Sequence, residues 1–310
     1  MSGIETSEAI LLENISKSYP GVLALSDINL KVRRGTIHGF LGPNGAGKTT
    51  TMKIISGLIT PTSGKVSIQG RLGYLPDVPP LYRYMTVREF LEFVFEIQTL
   101  DEKPNQSMKE KNISNVLTKT GLLDVQDRVI EHLSKGYQQR VGIAEALVHN
   151  PDVIILDEPT VGLDPVAIKE IRDLIKSLKN DHTILFSTHL LNEVEILCDD
   201  ISIISEGKIL LTGPIQKIKQ QFQGTFQVRA QVLRFFKEHE NELKKIARLD
   251  DLKVEKNNEV IELCCYSSID TREDISKYLV EKNAGLIGLS MEETKLEDIF
   301  KMTMHKREEN

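Results

Sequence analysis

The chain has 310 residues, of which 40% are hydrophobic and 27% charged, and its formal net charge is −6 at pH 7. These proportions are typical of a soluble globular protein long enough for one ordinary domain and one small one. The acidic balance argues against a nucleic-acid partner, which requires a basic surface. No secretory signal and no run of the ~20 apolar residues that span a bilayer are visible, so we expect any membrane part to come from another chain.

The three cysteines, Cys198, Cys264 and Cys265, are odd in number and form no C-x-x-C pair. This usage suits a reducing cytosol, where we expect them to act as small apolar residues.

The first two thirds of the chain alternate strand and helix patterns. Short strands are predicted over 10–15, 24–32, 36–41, 65–68 and 72–75, with a helix over 49–57 after the third. A helical pattern extends from about 85 to 149. Two apolar strands, 153–156 and 183–187, then flank a helix over 167–178. This alternation predicts a parallel sheet with right-handed crossovers.

A second pattern begins near residue 216 and predicts a separate domain over 216–310. Its elements are a strand over 226–232, a helix over 235–249, strands over 252–255 and 260–265, a helix over 275–282, a strand over 286–291 and a helix over 296–304. That order resembles a split βαβ, ferredoxin-like module. Thr271 and Asp274 predict a capping box for its second helix.

A phosphate-binding loop directly follows the third predicted strand. Its residues match G-x-x-x-x-G-K-[ST] and are Gly42, Pro43, Asn44, Gly45, Ala46, Gly47, Lys48 and Thr49. Glycines allow successive backbone N–H groups to face phosphate oxygens, and the following helix adds its positive N-terminal end. Lys48 is suited to reach the β- and γ-phosphates of ATP, and Thr49 to ligate Mg²⁺.

Two carboxylates, Asp157 and Glu158, follow the apolar strand over 153–156. Ligands bind at this edge of open α/β sheets. Asp157 is suited to hold Mg²⁺, and Glu158 to polarise the water that attacks the γ-phosphate. His189 follows the next strand and should lie at the same edge; alone it is more often structural, but its position one strand after the acidic pair favours a catalytic role.

With these residues laid out, 8–215 resembles the ATP-binding cassette (ABC) transporter ATPases. The resemblance implies a P-loop α/β fold with a mostly parallel core sheet, an N-terminal antiparallel β-subdomain and a helical subdomain at about 83–150, followed by the small α+β domain. It implies that Tyr19 stacks on adenine, that Thr50 adds a phosphate contact and that His189 contacts the γ-phosphate. The family signature is matched by 133–137, which contains Ser134, Lys135, Gly136 and Tyr137, and the loop that communicates across a dimer by 161–164, which ends in Asp164.

Two departures from the family pattern stand out. The signature is usually L-S-G-G-Q, and here Lys135 and Tyr137 replace its first glycine and its glutamine. The family usually carries a Mg²⁺-ligating, partner-sensing glutamine after the strand at 72–75, and here the matching residue is Asp77. A carboxylate can replace an amide as a Mg²⁺ ligand, but Asp77 is shorter, and a turn residue after Pro76 is the alternative reading.

The function implied by the resemblance is ATP hydrolysis that drives a separate integral-membrane permease. Two cassettes close on two molecules of MgATP, so a homodimer is the simplest expectation. The loop after 72–75, the segment 133–147 and the terminal KLEDIF resemble the exporter branch that includes gliding-motility and multidrug systems. The chain would lie at the cytoplasmic face of the membrane. The alternatives are a soluble ABC ATPase acting on ribosomes or DNA, and a phosphotransferase, for which no acceptor-binding motif is evident.

Overall fold

The computed structural model describes residues 8–101, 104–222, 226–257 and 260–292, which divide into two compact units at Pro214 and Ile215. The break lies one residue from the boundary predicted at 215/216. In the first unit the elements, in chain order, are β1 (Glu8–Tyr19), β2 (Val22–Arg33), β3 (Ile37–Leu41), α1 (Lys48–Ile55), β4 (Ser63–Ile68), β5 (Leu72–Leu75), α2 (Val87–Gln98), α3 (Gln106–Thr120), α4 (Lys135–Leu147), β6 (Val153–Asp157), α5 (Pro165–Leu178), β7 (Thr183–Thr188), α6 (Leu191–Leu197), β8 (Asp200–Ser205) and β9 (Lys208–Pro214).

The first unit contains two sheets. An antiparallel sheet has the order β2-β1-β4, and a six-stranded sheet has the order β5-β6-β7-β3-β8-β9. All pairings in the larger sheet are parallel except β8 with β9. The predicted N-terminal antiparallel subdomain and mostly parallel core sheet are therefore confirmed. The elements α6, β8 and β9 were not predicted from the sequence.

The four central strands of the larger sheet, β6, β7, β3 and β8, are buried along their whole length, so both of their faces are covered. Alternate residues of β6 enter different cores: Ile154 and Leu156 join one cluster, and Val153 and Ile155 join the other. The first cluster includes apolar residues of α2, α3, α4 and α5, and the second includes residues of β1, β2 and α1. Continuous apolar strands are expected where both faces are covered.

The helical segment between β5 and β6 carries two helices, two short 3₁₀ turns and then α4. Thr86 caps α2 in a capping box, because its side chain accepts a bond from Glu89 N while Thr86 N donates to the Glu89 carboxylate. Ser134 occupies the N-cap of α4, and Asp164 that of α5. The residues matched to the family signature and to the dimer loop therefore both begin helices.

The second unit contains a four-stranded antiparallel sheet with the order β11-β12-β10-β13. Its elements are α7 (Ile215–Phe222), β10 (Phe226–Val232), α8 (Lys237–Ile246), β11 (Asp251–Asn257), β12 (Val260–Ser267), α9 (Arg272–Glu281) and β13 (Leu286–Glu292). From β10 onward this is the predicted β-α-β-β-α-β order. The helix predicted over 296–304 lies outside the described residues.

The capping box predicted at Thr271 is wrong. Thr271 is the N-cap of α9, but it makes no side-chain capping bond and its ψ of 13° is not extended. Its hydroxyl lies 3.3 Å from Ser267 Oγ instead. Cys265, in β12, is buried, and burial raises the pKa of its thiol to about 12.

Candidate nucleotide-hydrolysis site

The phosphate loop leads from β3, whose five residues are all buried, to the start of α1. Two of its glycines are required by geometry. A Cβ on Gly42 would lie 2.3 Å from the Ile204 carbonyl oxygen. Gly47 has a φ of +107°, and a Cβ there would lie 2.5 Å from the Leu25 side chain. The loop therefore packs its backbone tightly against β2 and β8 while Asn44 and Gly45 remain exposed.

A cleft of about 570 Å³ opens beside this loop. We call it the phosphate cleft. Most of the residues predicted to handle phosphate and water line it: Asn44, Gly45, Gly47, Lys48, Thr49, Thr50, Asp77, Glu158 and His189. The remainder of its wall comes from Val22, Leu23, Ala24, Val161, Glu206 and Gly207.

Lys48, Glu158 and His189 form the centre of the cleft. Lys48 is only 6% exposed, and its Nζ donates to the Gly42 carbonyl at 2.8 Å and lies 3.1 Å from Glu158 Oε1. The other carboxylate oxygen, Oε2, lies 2.9 Å from His189 Nδ1. A cation suited to reach phosphates, a carboxylate suited to take a proton from water and a histidine are thus within contact of one another.

Glu158 adopts a left-handed backbone conformation, with φ of 50°. Its N–H group lies 3.2 Å from the Ser187 carbonyl oxygen and 3.0 Å from Ser187 Oγ. Ser187 Oγ in turn donates to Asp157 Oδ1. Strained conformations of this kind persist where the surroundings determine them, as they do at active sites. Ser187 therefore positions both carboxylates.

Sequence reasoning missed Ser187. The signal that could have identified it is register, because β6 and β7 are adjacent parallel strands and Asp157 is paired with Ser187. Any polar residue at that position of β7 must lie beside the acidic pair. Glu206 and Gly207, in the turn between β8 and β9, were also missed, because that hairpin was not predicted.

Asp157 has the character of a cation ligand. It is fully buried, and its Oδ2 has no hydrogen-bond partner among the described residues. Burial raises the pKa of Asp157, the Ser187 and Thr49 hydroxyls partly oppose that rise, and the charges of Asp77 and Glu158 add to it. A buried carboxylate with a free oxygen beside a threonine hydroxyl suits Mg²⁺.

No group of three His, Cys, Asp or Glu side chains that could hold a metal is present in the described part of the chain. Mg²⁺ commonly binds through one or two protein carboxylates and completes its shell with substrate phosphates and water. Asp77 is exposed at the rim of the phosphate cleft, so the structure places it near Asp157 without showing direct ligation.

Tyr19 does not line the phosphate cleft among the described residues. It is the last residue of β1, and 43% of the residue's surface is exposed. Lys17 Nζ lies 5.1 Å from the centre of that ring. Gly42, Pro43 and Ala46 are also absent from the described lining. Ala46 is buried, and its N–H donates to the Pro43 carbonyl at 3.2 Å.

The signature residues do not reach the phosphate cleft of their own chain. Ser134 and Tyr137 are exposed, and Lys135 lines a second cavity of about 290 Å³ together with Asp77 and Val161. Tyr137 lies against Arg140, whose guanidinium carbon is 5.5 Å from its ring centre. Gly136 allows α4 to approach α5, since a Cβ there would lie 3.1 Å from the Ala167 Cβ.

Asp164 is likewise outside the phosphate cleft. Its carboxylate accepts bonds of 3.0 Å from Val166 N and Ala167 N and so caps α5. The contacts of Asp164 within its own chain are therefore those of a helix cap.

Among the described residues, no helix is long and apolar enough to cross a membrane.

Comparisons with known proteins agree with this geometry. Residues 25–161 match the family model described as ABC transporter. The chain is 36% identical over 314 residues to the bacitracin transport ATP-binding protein BcrA of Bacillus licheniformis, covering 95% of this chain and 96% of that protein. It is 38% identical over 210 residues to the lantibiotic transport ATP-binding protein SrtF of Streptococcus pyogenes, covering 64% of this chain and 88% of that protein.

Solved structures give the same family. The ATP-binding subunit of an ABC transporter superposes with a TM-score of 0.60 at 31% identity, covering 69% of this chain and 93% of that one. A dimeric ATP-binding cassette bound to ADP and phosphate also has a TM-score of 0.60, at 26% identity, covering 66% of this chain and 98% of that one. The chain therefore belongs to the ABC transporter family as an ATP-binding subunit, an ATPase whose hydrolysis is coupled to transport.

Proposed function

We propose that two copies of this chain bind two ATP molecules between them and drive a separate integral-membrane permease as an exporter. The observation that carries the proposal is the Lys48, Glu158 and His189 arrangement in the phosphate cleft, together with signature residues that lie outside it. The phosphate loop of one chain is complete, but the signature residues of that chain cannot contact the nucleotide bound there. A second cassette is therefore needed to bring a signature to each nucleotide. The dimeric, ADP-bound cassette among the similar structures supports a paired arrangement.

In this mechanism the phosphate-loop N–H groups and Lys48 hold the phosphates, with Thr50 adding a contact. Glu158 accepts a proton from water, whose oxygen attacks the γ-phosphorus while the bond to the leaving ADP oxygen breaks. His189 holds the Glu158 carboxylate and contacts the γ-phosphate. Ser134, Lys135, Gly136 and Tyr137 would act on the nucleotide of the other copy, where the N-terminus of α4 attracts anions.

Thr49 and Asp157 would hold Mg²⁺, which neutralises phosphate charge when bound. Asp77 is proposed as an additional, water-mediated ligand. Asp77→Ala should then raise the Mg²⁺ concentration needed for half-maximal ATPase activity, whereas an unchanged Mg²⁺ requirement would make Asp77 a turn residue. Tyr19 would stack on adenine at the outer edge of the cleft.

The permease is the partner whose binding most directly tests the proposal. Val78, Tyr82 and Tyr84 are 74%, 54% and 87% exposed in the loop after β5, and clustered exposed apolar side chains mark interaction sites. The chain would bind at the cytoplasmic face of the membrane. Bacitracin and lantibiotics, named in two relatives, are the first cargoes to test.

Co-purification of the tagged full-length chain from membranes tests this partnership. We expect a multi-helix membrane protein to co-purify and to be lost when Tyr82 and Tyr84 are replaced by serine. Recovery of the chain wholly in the soluble fraction, bound to ribosomes or DNA, would favour the soluble-ATPase alternative and contradict the permease proposal.

The second unit is proposed to support dimerisation or to regulate the cassette. Truncation after Gln221 should lower dimer formation or change the ATPase rate. If neither changes, the second unit has another role.

A further inference from the structure

A buried carboxylate lies four residues after His189 and has no part in the mechanism described so far. Glu193 is 0% exposed and lies in the first turn of α6. Burying a carboxylate is costly unless hydrogen bonds or an opposite charge compensate it. Its contacts therefore indicate what it stabilises.

Those contacts converge on the backbone around His189. Thr188 Oγ1 donates to Glu193 Oε2 at 2.9 Å, and Leu190 N donates to the same Thr188 hydroxyl at 3.0 Å. Glu193 N donates to the Leu190 carbonyl at 3.2 Å. Both neighbours of His189 are thus held by one hydrogen-bonded group. Thr188 is itself only 1% exposed, so water does not compete for these bonds.

The same threonine connects this group to the phosphate loop. Gly42 N donates to the Thr188 carbonyl oxygen at 3.3 Å. The segment that presents His189 is therefore fixed against the loop that holds phosphate on one side and against α6 on the other.

Arg172 on α5 supplies the opposite charge. Its Nη2 lies 3.6 Å from Glu193 Oε1, while Glu193 Oε1 and Arg172 Nε have no hydrogen-bond partner within the described ranges. The pairing is therefore electrostatic without a formed hydrogen bond. Among the residues that the structure describes, the Glu193 carboxylate accepts a hydrogen bond from Thr188 alone, which identifies Thr188 as its structural target.

We propose that Glu193 is a positioning residue for His189 and acts through the Thr188 hydroxyl. The inference rests on the proposed role of His189 in hydrolysis. Glu193 holds Thr188, Thr188 holds the backbone on both sides of His189, and His189 Nδ1 thereby stays 2.9 Å from Glu158 Oε2.

The test uses the full-length chain and compares kcat, KM and ATP affinity. Thr188→Val removes the hydroxyl but leaves Glu193 and Arg172 in place. Thr188→Ser keeps the hydroxyl and serves as the conservative variant. We expect Thr188→Val to lower kcat about 10-fold, the lower range for outer hydrogen-bond partners of functional histidines, with ATP affinity changed by less than about twofold. Thr188→Ser should retain near-normal kcat.

Substitutions of Glu193 separate its hydrogen bond from its charge. Glu193→Gln keeps an acceptor for Thr188 and should retain most activity, while Glu193→Leu should behave like Thr188→Val. Glu195→Gln, an exposed change on the same helix, is the matched control. Melting temperatures of all variants show whether a loss of activity merely follows unfolding.

Combination with His189→Ala decides whether the effect acts through His189. We expect Thr188→Val to cause no further loss in the His189→Ala background, because residues that act as a unit are non-additive. An additive further loss, or a Thr188→Val variant with normal kcat, overturns the inference while the proposed function stands. If His189→Ala alone leaves kcat unchanged, the proposed role of His189 fails and this inference fails with it.

Discussion

Lys48 Nζ lies 3.1 Å from Glu158 Oε1, so the cation of the phosphate loop and the carboxylate suited to activate water are in direct contact. Both side chains are largely buried, with 6% and 11% of their surface exposed. The two side chains nevertheless have different further partners. Lys48 also donates to the Gly42 carbonyl of the phosphate loop, which suits nucleotide binding, whereas Glu158 also contacts His189, which suits hydrolysis. Substitution of each should therefore have a different kinetic effect.

Glu158→Gln should abolish hydrolysis while nucleotide binding persists. The amide keeps the size of the side chain but cannot accept the proton of the attacking water, so we expect kcat to fall about 100-fold or more. Phosphate release and equilibrium ATP binding measure the two quantities. Asp173→Asn, an exposed change on α5, is the control for lost charge. Retained hydrolysis would show that another group accepts the proton.

Lys48→Ala should weaken ATP binding. Hydrogen bonds from a charged group contribute about 1.5–3 kcal/mol, so we expect affinity to fall about 10- to 100-fold. Calorimetric titration with ATP measures it. Lys53→Ala removes an exposed lysine from the same helix and should leave the affinity unchanged. Equal affinities in all three proteins would contradict the phosphate-loop assignment.

Ser187→Ala should impair catalysis although Ser187 touches no substrate in the proposed mechanism. The change removes the donor to Asp157 and an acceptor of the Glu158 N–H group, so both carboxylates lose a constraint. We expect kcat to fall about 10-fold, as for other outer hydrogen-bond partners. Steady-state ATPase assays at varied Mg²⁺ provide the measurement. Ser177→Ala on α5, whose hydroxyl donates to the Leu174 carbonyl within the helix, should change little.

His38 should make the protein less stable in weak acid. It is fully buried with Nε2 2.8 Å from Ser202 Oγ, and burial, opposed by the charge of Asp200, lowers its pKa to about 4 from 6.5. Between these values the unfolded chain binds a proton that the folded chain does not, so stability is complete above about pH 6.5 and falls as the pH drops. The loss approaches about 3 kcal/mol at pH 4.

Urea unfolding of the wild type and of His38→Gln across pH 4–7 measures this contribution. Other groups titrate in the same window, so the difference between the two slopes is the relevant quantity. We expect a shallower slope for His38→Gln. If the unfolding free energies of the two proteins changed equally with pH, protonation of His38 would not destabilise the folded chain.

Glu145 should have the opposite effect on stability. Burial raises the pKa of its carboxyl to about 7 from 4.5, and Glu145 Oε2 has no hydrogen-bond partner among the described residues. Between those values the folded chain binds the extra proton, so stability decreases as the pH rises through the window. Glu145→Gln should therefore stabilise the protein by about 2 kcal/mol at pH 7.5 and much less at pH 4.5.

Thermal or urea unfolding at the two pH values checks the Glu145 prediction. Glu131→Gln, an exposed change in the same helical region, should have no effect at either pH. A Glu145→Gln variant less stable than the wild type at pH 7.5 would show that the carboxylate has a stabilising partner.

The nucleotide-binding residues could be predicted from the sequence because their spacing along the chain is fixed by local backbone geometry. A glycine-rich loop between a strand and a helix needs its residues at set spacings, and Asp157 and Glu158 directly follow a buried strand. The signature and the dimer loop were identified by their resemblance to the family motifs, and in the structure Ser134 and Asp164 each begin a helix. The turn at Glu206 and Gly207 could have been recognised in the same way, because a glycine between two apolar runs is typical of a hairpin turn.

The contacts that support those groups depended on the order of strands in space. Ser187 lies beside Asp157 because β7 is inserted next to β6, and Glu193 reaches Thr188 because α6 folds back against β7. The prediction at Thr271 failed for a local reason: its ψ of 13° is not the extended backbone of a capping residue, and its hydroxyl lies beside Ser267, four residues earlier. The signature lies outside the phosphate cleft because α4, which begins at the signature, packs against α5. Spacing along the chain determines which groups are present, and only packing determines which of them meet.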